Sequence, residues 1–331
     1  MNILVTGACG FIGSHLVEKL VKQNHNVRAF TFYNSRNSNG WLDNADKKIL
    51  KDLDVVSGDI RDYDFLYQQT KKIDVILHLA ALIGIPYSYR ATKSYIDTNI
   101  TGTYNILNAA KSNNVLKTII TSTSEVYGTA QKVPILESHS LNAQSPYAAS
   151  KIAGDQLALS FHKSFGLPVS IIRPFNTFGP RQSARAIIPT IIIQLLKNKK
   201  IIKLGNLSPT RDFTFVDDTT DAFIKAMKTK NINGEVINIG NKFEISIKEI
   251  LEILVKDFGY NFNVKIEKKR IRKKNSEVQR LFSSNAKAMK ILNWSPKHGG
   301  ISGFKKGLKK TIDWFNKPEN LQNYKSDIYN I

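Results

Sequence analysis

A glycine turn directly after the first predicted strand is the feature that most limits how this chain of 331 residues can fold. Gly7, Gly10 and Gly13 follow the strand at intervals of three residues and precede a helical pattern. In such a unit the first glycine permits a tight turn, the second lets a ligand approach the backbone, and the third lets the helix pack on the strand. Free N–H groups at the start of the helix bind phosphate. The sequence therefore predicts a dinucleotide-binding unit whose pyrophosphate contacts are Gly7, Gly10, Phe11, Ile12 and Gly13.

The rest of the first half alternates short β-branched runs with longer helical patterns, which is typical of a parallel sheet covered by helices on both faces. Strands are predicted at Asn2–Thr6, Asn26–Phe32, Leu53–Ser57, Val75–Leu79, Lys117–Ser122 and Pro168–Arg173. Helices are predicted at Gly13–Gln23, Asp62–Thr70, Thr92–Asn113 and Tyr147–Phe165. The fold class we expect is α/β, with a Rossmann-type doubly wound parallel sheet.

The pattern changes after Pro174, where a glycine- and proline-containing loop precedes shorter elements. We expect residues 1–175 to form the NAD(P)-binding Rossmann domain, to which a segment near 218–242 returns. Residues 176–217 and 243–331 are expected to form a smaller C-terminal α/β domain for the substrate. Its last dozen residues are polar and are predicted to be frayed.

Lysine and arginine outnumber aspartate and glutamate by 48 to 27, which gives a formal net charge of +21. Such an excess can attract nucleic acid, an anionic membrane or an anionic substrate. Most of these cations are scattered lysines, and 268–274 is the one dense run, so a solvated basic face is our first interpretation. Attraction of an anionic substrate is the second, and we predict no nucleic-acid partner.

The single cysteine, Cys9, excludes an intrachain disulfide and fits a reducing cytosol. No apolar run approaches the roughly 20 residues of a membrane span. The first residues lead directly into a strand without a basic leader. We therefore expect a cytoplasmic protein that is not inserted in a membrane, and the sequence predicts no metal site.

Tyr147 and Lys151 lie one turn apart on the same face of a predicted helix. A nearby cation favours the phenolate, so we expect Tyr147 to exchange a proton near neutral pH. The segment 121–128, Thr-Ser-Thr-Ser-Glu-Val-Tyr-Gly, adds a second base at Glu125. An enzyme that only moves a hydride does not need this carboxylate, so Glu125 predicts further chemistry.

The end of the second predicted strand bears on the choice between NAD and NADP. A carboxylate there would bind the ribose 2′-hydroxyl and repel a 2′-phosphate. This chain has hydroxyl, amide and guanidinium groups instead, at Thr31, Asn34, Ser35 and Arg36. Their presence favours NADP, with NAD as the alternative. Further cofactor contacts are predicted after the third and fourth strands, at Asp59–Ile60 for the adenine and at Ala80–Ala81.

Several motifs occur in the order and at the separations found in one enzyme family. Besides the glycine turn they are Asp59, His78-Leu79-Ala80-Ala81, Asn99 before Gly102-Thr103, Tyr147 with Lys151, Arg173 to Pro180, and Arg211-Asp212-Phe213. Over essentially its whole length the chain resembles the extended short-chain dehydrogenases/reductases, specifically their nucleotide-sugar epimerases and dehydratases. The resemblance implies a tightly held nicotinamide that is reduced and reoxidised in each cycle. It adds Leu79, Asn99 and Pro174 to the predicted cofactor site.

The resemblance also implies roles in the reaction. Tyr147 takes the proton of the sugar 4-hydroxyl, Lys151 holds the nicotinamide ribose, and Thr123 hydrogen-bonds the same hydroxyl. Glu125 decides the branch, because epimerases typically carry a small residue there, whereas a glutamate resembles the sugar 4,6-dehydratases. Ser124 stands where deoxythymidine-diphosphoglucose dehydratases carry an aspartate acid. As in GDP-mannose 4,6-dehydratases, Glu125 is then expected to serve both proton steps.

Alternatives stay open at this stage. The same Thr-Ser-Glu-Val-Tyr-Gly string occurs in UDP-glucuronate decarboxylases, in which an arginine binds the carboxylate, and Arg185 or Arg181 could do so here. A nucleotide-sugar 4-epimerase is a further alternative, and a non-catalytic NADP-sensing or polyanion-binding protein is a distant one. In their loops the chain most resembles dehydratases of the legionaminic acid route to surface glycans, which act on GDP- or UDP-linked N-acetylglucosamine.

The resemblance assigns the nucleotide sugar to the C-terminal part of the chain. Arg211 matches an arginine that contacts the diphosphate, Asn176 a loop amide near the phosphates, and Glu277 a glutamate that contacts the ribose. The glutamate favours a guanosine or uridine nucleotide over a deoxynucleotide. The sugar pocket is predicted to include Ile85, Tyr87 and Arg185. A homodimer is expected, in which the helices at 92–113 and 147–165 pair with those of a second copy.

Overall fold

The computed structural model describes residues 1–197, 200–325 and 328–331. Its largest element is a seven-stranded sheet, and two smaller sheets lie in the second half of the chain. In chain order the strands are β1 (Asn2–Thr6), β2 (Asn26–Phe32), β3 (Leu53–Gly58), β4 (Val75–His78), β5 (Lys117–Thr121), β6 (Val169–Pro174), β7 (Asn176–Phe178), β8 (Ile201–Leu204), β9 (Thr210–Phe215), β10 (Val236–Ile239), β11 (Glu244–Ser246) and β12 (Asn263–Ile266).

Helices connect these strands and cover the sheets. They are α1 (Phe11–Lys22), α2 (Lys47–Lys51), α3 (Tyr63–Gln69), α4 (Ile85–Ser88), α5 (Thr92–Tyr95), α6 (Gly102–Ser112), α7 (Pro146–Phe165), α8 (Ile187–Leu196), α9 (Val216–Lys228), α10 (Ile247–Lys256), α11 (Ala286–Leu292), α12 (Gly300–Phe315) and α13 (Pro318–Leu321). A π-helical turn at Ile96–Thr101 joins α5 to α6. Within the described ranges, no helix is both long and apolar enough to cross a bilayer.

The large sheet has the strand order β3-β2-β1-β4-β5-β6-β10, and every neighbouring pair is parallel. The chain winds outward from β1 to β3, crosses to β4, and then continues in the opposite direction to β10. Because the direction of winding reverses between β1 and β4, a crevice lies at the carboxyl ends of these two strands. This is the predicted Rossmann-type doubly wound sheet, and the crevice is where such folds bind their ligands.

Apolar cores cover both faces of the large sheet. On one face α1 and α9 pack through residues such as Leu16 and Phe223. On the other face α6 and α7 pack through Ile106 and Phe161. Strands buried on both faces have nearly continuous apolar runs rather than an alternating pattern. This is why β1, β4 and β6 could be located from the sequence.

The second half of the chain has an apolar core of its own beside the large sheet. β9 is the central strand of a three-stranded sheet, parallel to β7 and antiparallel to β11, and β8 pairs with β12. Phe178 contacts Phe213, Phe215 and Phe304 with ring centroids 5.2 to 6.1 Å apart. β10, from the segment near 218–242, lies beside β6 in the large sheet. The assignment of cofactor and substrate to the two parts of the chain stays a prediction.

Besides several short elements that were not predicted, among them β7, β11, β12 and α2, the structure differs from the predicted elements at three places. The helix predicted over Thr92–Asn113 is divided into α5, the π-helical turn and α6. β9 was not predicted, because charged residues in its middle interrupt the apolar pattern. The prediction that the last dozen residues are frayed is wrong at Tyr324. That side chain is 7% exposed and stacks on Trp41, with ring centroids 6.0 Å apart.

The tight packing of Gly13 leads to a prediction about stability. A Cβ atom at Gly13 would lie 2.2 Å from the Gly7 carbonyl oxygen, whereas a Cβ atom at Gly10 would lie 3.3 Å from it. We expect Gly13→Ala to lower the free energy of unfolding by about 3 kcal/mol, because the backbone must move. Gly10→Ala is the matched control, with an expected loss below about 1 kcal/mol. Urea unfolding without cofactor measures both, and equal losses would contradict the packing argument.

Candidate active site

The glycine turn between β1 and α1 lies against the chain that leaves β4. Gly7 has a φ of +68°, and a Cβ atom there would lie 2.7 Å from the backbone nitrogen of Ala80. The Gly10 N–H donates to the Gly7 carbonyl oxygen at 3.0 Å, so the turn closes on itself. Phe11 and Ile12 begin α1, and the first N–H groups of a helix have no acceptor within it. The turn and the helix N-terminus therefore fit the pyrophosphate of a dinucleotide.

His78, the last residue of β4, holds the floor of the crevice together. Its Nδ1 atom lies 2.8 Å from Thr6 Oγ1, and its Nε2 atom lies 3.3 Å from Thr103 Oγ1. Thr6 Oγ1 also accepts the N–H groups of Leu79 and Ala80, at 3.2 and 3.1 Å. Burial lowers the pKa of His78 to about 3, so its ring stays neutral. His78 is therefore a tether between β1, β4 and α6, beside which Leu79, Ala80 and Ala81 are partly exposed.

The loop after β2 uses some of the groups that were predicted to contact the cofactor. Thr31 is 1% exposed, and its Oγ1 atom lies 2.9 Å from Ser57 Oγ. The Asn34 side chain donates to the Ser38 carbonyl at 2.8 Å and accepts the Arg36 N–H at 3.1 Å. Arg36 and the neighbouring Ser35 are exposed. Thr31 and Asn34 thus shape the loop, and the Arg36 guanidinium is the cation available on its surface.

The predicted adenine contact lies at the end of β3. Asp59 forms a two-pronged ion pair with Arg61, whose Nε atom lies 2.9 Å from Asp59 Oδ1. Hydrogen bonding from Arg61 lowers the pKa of Asp59. Both residues line a cleft of about 450 Å³, together with Asp97 and Thr101. Ile60 is buried and faces α6, so the polar edge of this cleft is formed by Asp59 and Arg61.

Asn99, in the π-helical turn, holds the loop that follows β4. Its side chain accepts the Leu82 N–H and donates to the Leu82 carbonyl oxygen, each at 2.9 Å. It also donates to Ser150 Oγ at 2.9 Å, and the residue is 1% exposed. Asn99 therefore fixes the crevice wall to α7. Pro174, which ends β6, is buried on the other side of the site.

Helix α7 carries Tyr147 and Lys151 to the crevice. Ser145 caps the helix, and its hydroxyl accepts an N–H of the first turn at 3.1 Å. Tyr147 is 7% exposed and Lys151 is 6% exposed. Lys151 Nζ donates to the Thr121 carbonyl oxygen at 2.5 Å, which joins α7 to the end of β5. The two residues thus share one buried helix face, as their spacing predicted.

A single 3₁₀ turn at Ser124–Tyr127 follows β5 and carries the predicted base. Thr123 caps this turn, and its Oγ1 atom accepts the Glu125 N–H at 3.2 Å. Ser124 is 2% exposed and Glu125 is 8% exposed. Among the residues that the structure describes, the Glu125 carboxylate has no hydrogen-bond partner. It is close enough to Tyr147 and Arg211 for its charge to affect the pKa of each.

Burial controls the protonation of the Tyr147 phenol and the Lys151 ammonium. It raises the pKa of Tyr147, and a hydrogen bond with Thr123 opposes this rise while the charge of Glu125 adds to it. Burial also lowers the pKa of Lys151 to about 8. Proton exchange by Tyr147 near neutral pH with Lys151 as its counter-ion therefore stays a prediction. In this structure the ammonium donates to the Thr121 carbonyl, and burial is the largest cause of the shift in the pKa of Tyr147.

A buried polar network supports α7 from beneath. Arg173 in β6 donates from Nη2 to Asp155 Oδ2 at 2.8 Å and from Nη1 to the Tyr127 hydroxyl at 2.8 Å. The Tyr127 hydroxyl donates in turn to Asn238 Oδ1 at 2.7 Å. These four residues are each at most 3% exposed. The network joins α7, the 3₁₀ turn, β6 and β10, and so fixes the position of Tyr147 relative to Glu125.

The predicted nucleotide contacts meet on the other side of Glu125. Arg211, in β9, is 7% exposed, and its Nη2 atom lies 3.5 Å from Glu277 Oε1. Arg272 Nη1 lies 3.5 Å from the same oxygen atom. Burial lowers the pKa of Arg211, and the charge of Glu125 opposes this shift. Two guanidinium groups thus share one carboxylate, and the excess positive charge suits a diphosphate.

Some functional positions were missed from the sequence. Arg272 was taken as part of a basic run, although its place five residues before Glu277 was a usable signal. Gln144 Nε2 donates to the Glu277 carbonyl at 3.3 Å and so holds that segment. Asp212, beside Arg211, accepts the Asn241 N–H at 2.7 Å, and burial raises its pKa to about 6. Contacts of this kind join segments far apart in the chain and carry no local pattern.

The residues predicted for the sugar lie in three segments: Ile85 and Tyr87 in α4, Asn176 in β7 and Arg185 before α8. Ile85 begins α4 and is 8% exposed, whereas Tyr87 is 41% exposed. Asn176 Oδ1 is buried without a hydrogen-bond partner among the described residues, which makes it an acceptor for a ligand. Arg185 is exposed, and its Nε atom donates to the Ile331 carbonyl at 3.0 Å. A Cβ atom at Gly84 would lie 3.6 Å from Arg185 Cδ, so this arginine borders the loop before α4.

Comparison with known proteins agrees with this arrangement. The family model described as GDP-mannose 4,6 dehydratase matches residues 4–311. The chain therefore belongs to the GDP-mannose 4,6 dehydratase family. It is 32% identical to dTDP-D-glucose 4,6-dehydratase of Homo sapiens, over 98% of this chain and 92% of the human protein. It is also 32% identical to UDP-N-acetyl-alpha-D-glucosaminuronate decarboxylase of Bacillus cytotoxicus, over 96% of this chain and 98% of that protein.

A solved structure gives the same result for the fold. A mutant UDP-glucuronic acid 4-epimerase from Bacillus cereus, in complex with NAD and a fluorinated UDP-glucuronic acid, superposes with a TM-score of 0.87. It is 32% identical and covers 98% of this chain and 100% of its own. Members of this enzyme family thus include dehydratases, epimerases and decarboxylases of nucleotide sugars, and homologous structures contain NAD.

Proposed function

We propose that this family member is a nucleotide-sugar 4,6-dehydratase. The observation that carries the proposal is Glu125, a carboxylate 8% exposed at the end of β5 and close to Tyr147. Oxidation and reduction at carbon 4 alone give such a group no task, whereas elimination needs a base for the proton on carbon 5. Because no other described residue hydrogen-bonds the carboxylate, Glu125 is free to remove the proton on carbon 5.

The proposed chemistry uses four side chains in sequence. A bound nicotinamide supplies hydride acceptance at carbon 4 and hydride return at carbon 6. Tyr147 acts as the phenolate, with cationic Lys151 beside it, and receives the proton of the 4-hydroxyl, while Thr123 hydrogen-bonds the same oxygen. The 4-ketone makes the proton on carbon 5 acidic, and Glu125 removes it. Glu125 then gives that proton to the leaving hydroxyl of carbon 6, so that water departs and a 4-keto-5,6-ene forms. With hydride at carbon 6, the proton that Tyr147 received is returned to carbon 5, and the product is a 4-keto-6-deoxy sugar.

The substrate we propose is GDP- or UDP-N-acetylglucosamine. Glu125 follows Ser124 rather than an aspartate, and Glu277 lies beside Arg211 and Arg272, where a ribose 2′-hydroxyl can be bound. In the loops at 183–186 and 208–213 the chain resembles the dehydratases of legionaminic acid synthesis.

We further propose that 1–175 with 218–242 holds the cofactor and that 176–217 with 243–331 holds the nucleotide sugar. We also propose that the enzyme is cytoplasmic.

Decarboxylation of a nucleotide uronate is the second candidate. The Bacillus cytotoxicus relative supports it, and it requires an arginine for the substrate carboxylate. Arg181 pairs with Glu18 at 2.6 Å and is therefore already engaged. Arg185 is exposed near Gly84 and could bind a carboxylate. A 4-epimerase would leave Glu125 without a role, so we place it third.

For the cofactor we propose NADP in preference to NAD. The loop after β2 carries an exposed Arg36 and no acidic residue at the end of the strand. Asp43, the acidic residue nearest along the chain, accepts hydrogen bonds from Ser38 Oγ at 2.7 Å and from the Asn39 N–H. A guanidinium group at this edge suits a 2′-phosphate. Homologous structures contain NAD, so the preference belongs to this loop and not to the family.

We also propose a homodimer formed by the helices 92–112 and α7. Apolar side chains are exposed on this face, with Ile96, Tyr104 and Phe165 at 42%, 44% and 57% exposure. Tyr104 contacts Phe161 of α7 with ring centroids 6.1 Å apart, so the two helices present one continuous surface. Pairing it with a second copy would remove these rings from water.

The function is tested with a panel of nucleotide sugars. With GDP- or UDP-N-acetylglucosamine we expect a product lighter by one water and no net consumption of cofactor, measured by mass spectrometry. Carbon dioxide release from UDP-glucuronate would instead favour the decarboxylase. If neither N-acetylglucosamine nucleotide loses water, the dehydratase proposal is wrong.

The variant Glu125→Gln tests the assignment of the base. We expect transient nicotinamide reduction to persist, because Tyr147 and Lys151 are unchanged, while water loss falls by about a thousandfold. Ser124→Ala is the matched neighbour and should retain dehydration within about threefold. Single-turnover absorbance of the reduced nicotinamide and mass spectrometry measure the two steps. Normal dehydration by Glu125→Gln would show that another group is the base.

Arg36→Ala tests the cofactor preference. We expect NADP binding to weaken about tenfold, since one charge-assisted contact is lost, while NAD binding is unchanged. Lys47→Ala, an exposed cation on α2, is the control and should change neither affinity. Calorimetric titration with both cofactors gives the values. Tighter binding of NAD than NADP by the unmodified protein would contradict the proposal.

Sedimentation equilibrium tests the dimer. We expect twice the mass of one chain, and we expect Tyr104→Arg to give a folded monomer, because it places a charge on the proposed interface. Leu116→Arg is the control, since Leu116 is 69% exposed but lies outside these helices. A monomeric unmodified protein at micromolar concentration would overturn this arrangement.

A further inference from the structure

The carboxylate of Asp155 has a binding capacity that no step above uses. Asp155 is 1% exposed and follows Lys151 by one turn of α7, so that both side chains lie on the same helix face. Its Oδ2 atom accepts the Ser122 hydroxyl at 2.8 Å and the Arg173 Nη2 group at 2.8 Å. Its Oδ1 atom is buried, and no described residue hydrogen-bonds to it.

If the carboxylate only neutralised Arg173, both of its oxygen atoms would be expected to accept hydrogen bonds. Leaving one buried acceptor unpaired costs about 1–3 kcal/mol, and a charged one costs more. The nearest cation besides Arg173 is Lys151, whose one hydrogen bond, to Thr121, leaves two N–H donors. Burial raises the pKa of Asp155, and the charge of Arg173 and the hydrogen bond from Ser122 oppose this rise and favour the carboxylate. Asp155 and Lys151 thus lie on the same helix face as an acid and a base with unused hydrogen-bonding capacity.

The other groups around Lys151 do not replace this anion. His78, from β4, is neutral at physiological pH. Tyr147, on α7, is a neutral phenol by the direction of its pKa. Glu125, from the 3₁₀ turn, lies beside Arg211. Arg173, from β6, is a further cation and would repel the ammonium.

We propose that Asp155 is a positioning residue for Lys151, and that its carboxylate, one helical turn away, keeps the ammonium charged at the end of β5 beside Tyr147. It acts through Lys151 and does not touch the substrate. Burial lowers the pKa of Lys151, and Asp155 is the charge that opposes this shift. Without Asp155, a larger fraction of Lys151 is neutral at a given pH, so that Lys151 stabilises a phenolate formed at Tyr147 less well.

This inference rests on the proposed function only where the experiment measures enzyme activity. The experiment compares Asp155→Asn, which removes the charge at nearly constant shape, with Asp155→Glu, which keeps it. In Asp155→Asn we expect the alkaline limb of the kcat/KM profile to move down by about one pH unit. The KM for the nucleotide sugar should stay within about twofold, since Asp155 lies away from Arg211 and Glu277. Asp155→Glu should restore the position of the limb, even at a reduced kcat.

A measurement without substrate separates failure of this inference from failure of the proposed function. With ¹³C-labelled lysine, the Cε resonance of Lys151, assigned as the signal missing in Lys151→Arg, should titrate at lower pH in Asp155→Asn than in the unmodified protein. If Asp155→Asn does not fold, the double variant Asp155→Asn with Arg173→Met takes its place, because it buries no unpaired charge. An unchanged Lys151 titration, or an unchanged alkaline limb with a loss of stability alone, would show that Asp155 is only structural.

Discussion

The close approach of three backbone segments at the carboxyl ends of β1 and β4 is the constraint on which the rest of the site depends. Gly13 packs on Gly7, and Gly7 packs on Ala80, at distances that leave no room for a side chain. Because α1 is then fixed against β1, its N-terminus lies in the crevice. The Thr6 hydroxyl and His78 complete this junction with side chains rather than backbone. The contacts made by Asn99 and Lys151 therefore depend on the position of this junction.

The burial of Tyr147 and Lys151 shifts the pKa of each side chain and so controls the reactivity of the site. A phenol and an ammonium that are almost completely buried are each shifted toward their neutral forms, which is the opposite of what an isolated Tyr-Lys pair in water would do. In a low-dielectric site each additional charge therefore has a large effect. The charges of Glu125 and Asp155 both act on Tyr147, and that of Asp155 also acts on Lys151, so the protonation of the pair depends on these two carboxylates.

The sequence predicts features that depend on neighbouring residues better than features that depend on contacts between distant segments of the chain. β1 has the predicted bounds, because Ile3–Val5 is a continuous apolar run, and Tyr147 with Lys151 share a face because helical spacing requires it. β9 was missed because Arg211 and Asp212 interrupt its pattern, although both are buried by partners distant in the chain. The effect of burial on the pKa of Tyr147 was missed for a similar reason. Spacing shows that two groups are neighbours but does not show how deeply they are buried.

The basic run at 268–274 indicates what part of the high positive charge does. Arg270 binds Glu267 at 2.7 Å, and Arg272 lies 3.5 Å from Glu277, so part of the run is paired with carboxylates of its own segment. Arg272 lies toward Arg211 and the proposed diphosphate site, whereas Lys273 and Lys274 are exposed. A groove for nucleic acid needs cations that are free to replace counter-ions along a continuous path. Arginines that are already paired at a small buried site are better suited to orient one diphosphate, because the incoming anion exchanges with a carboxylate instead of with water.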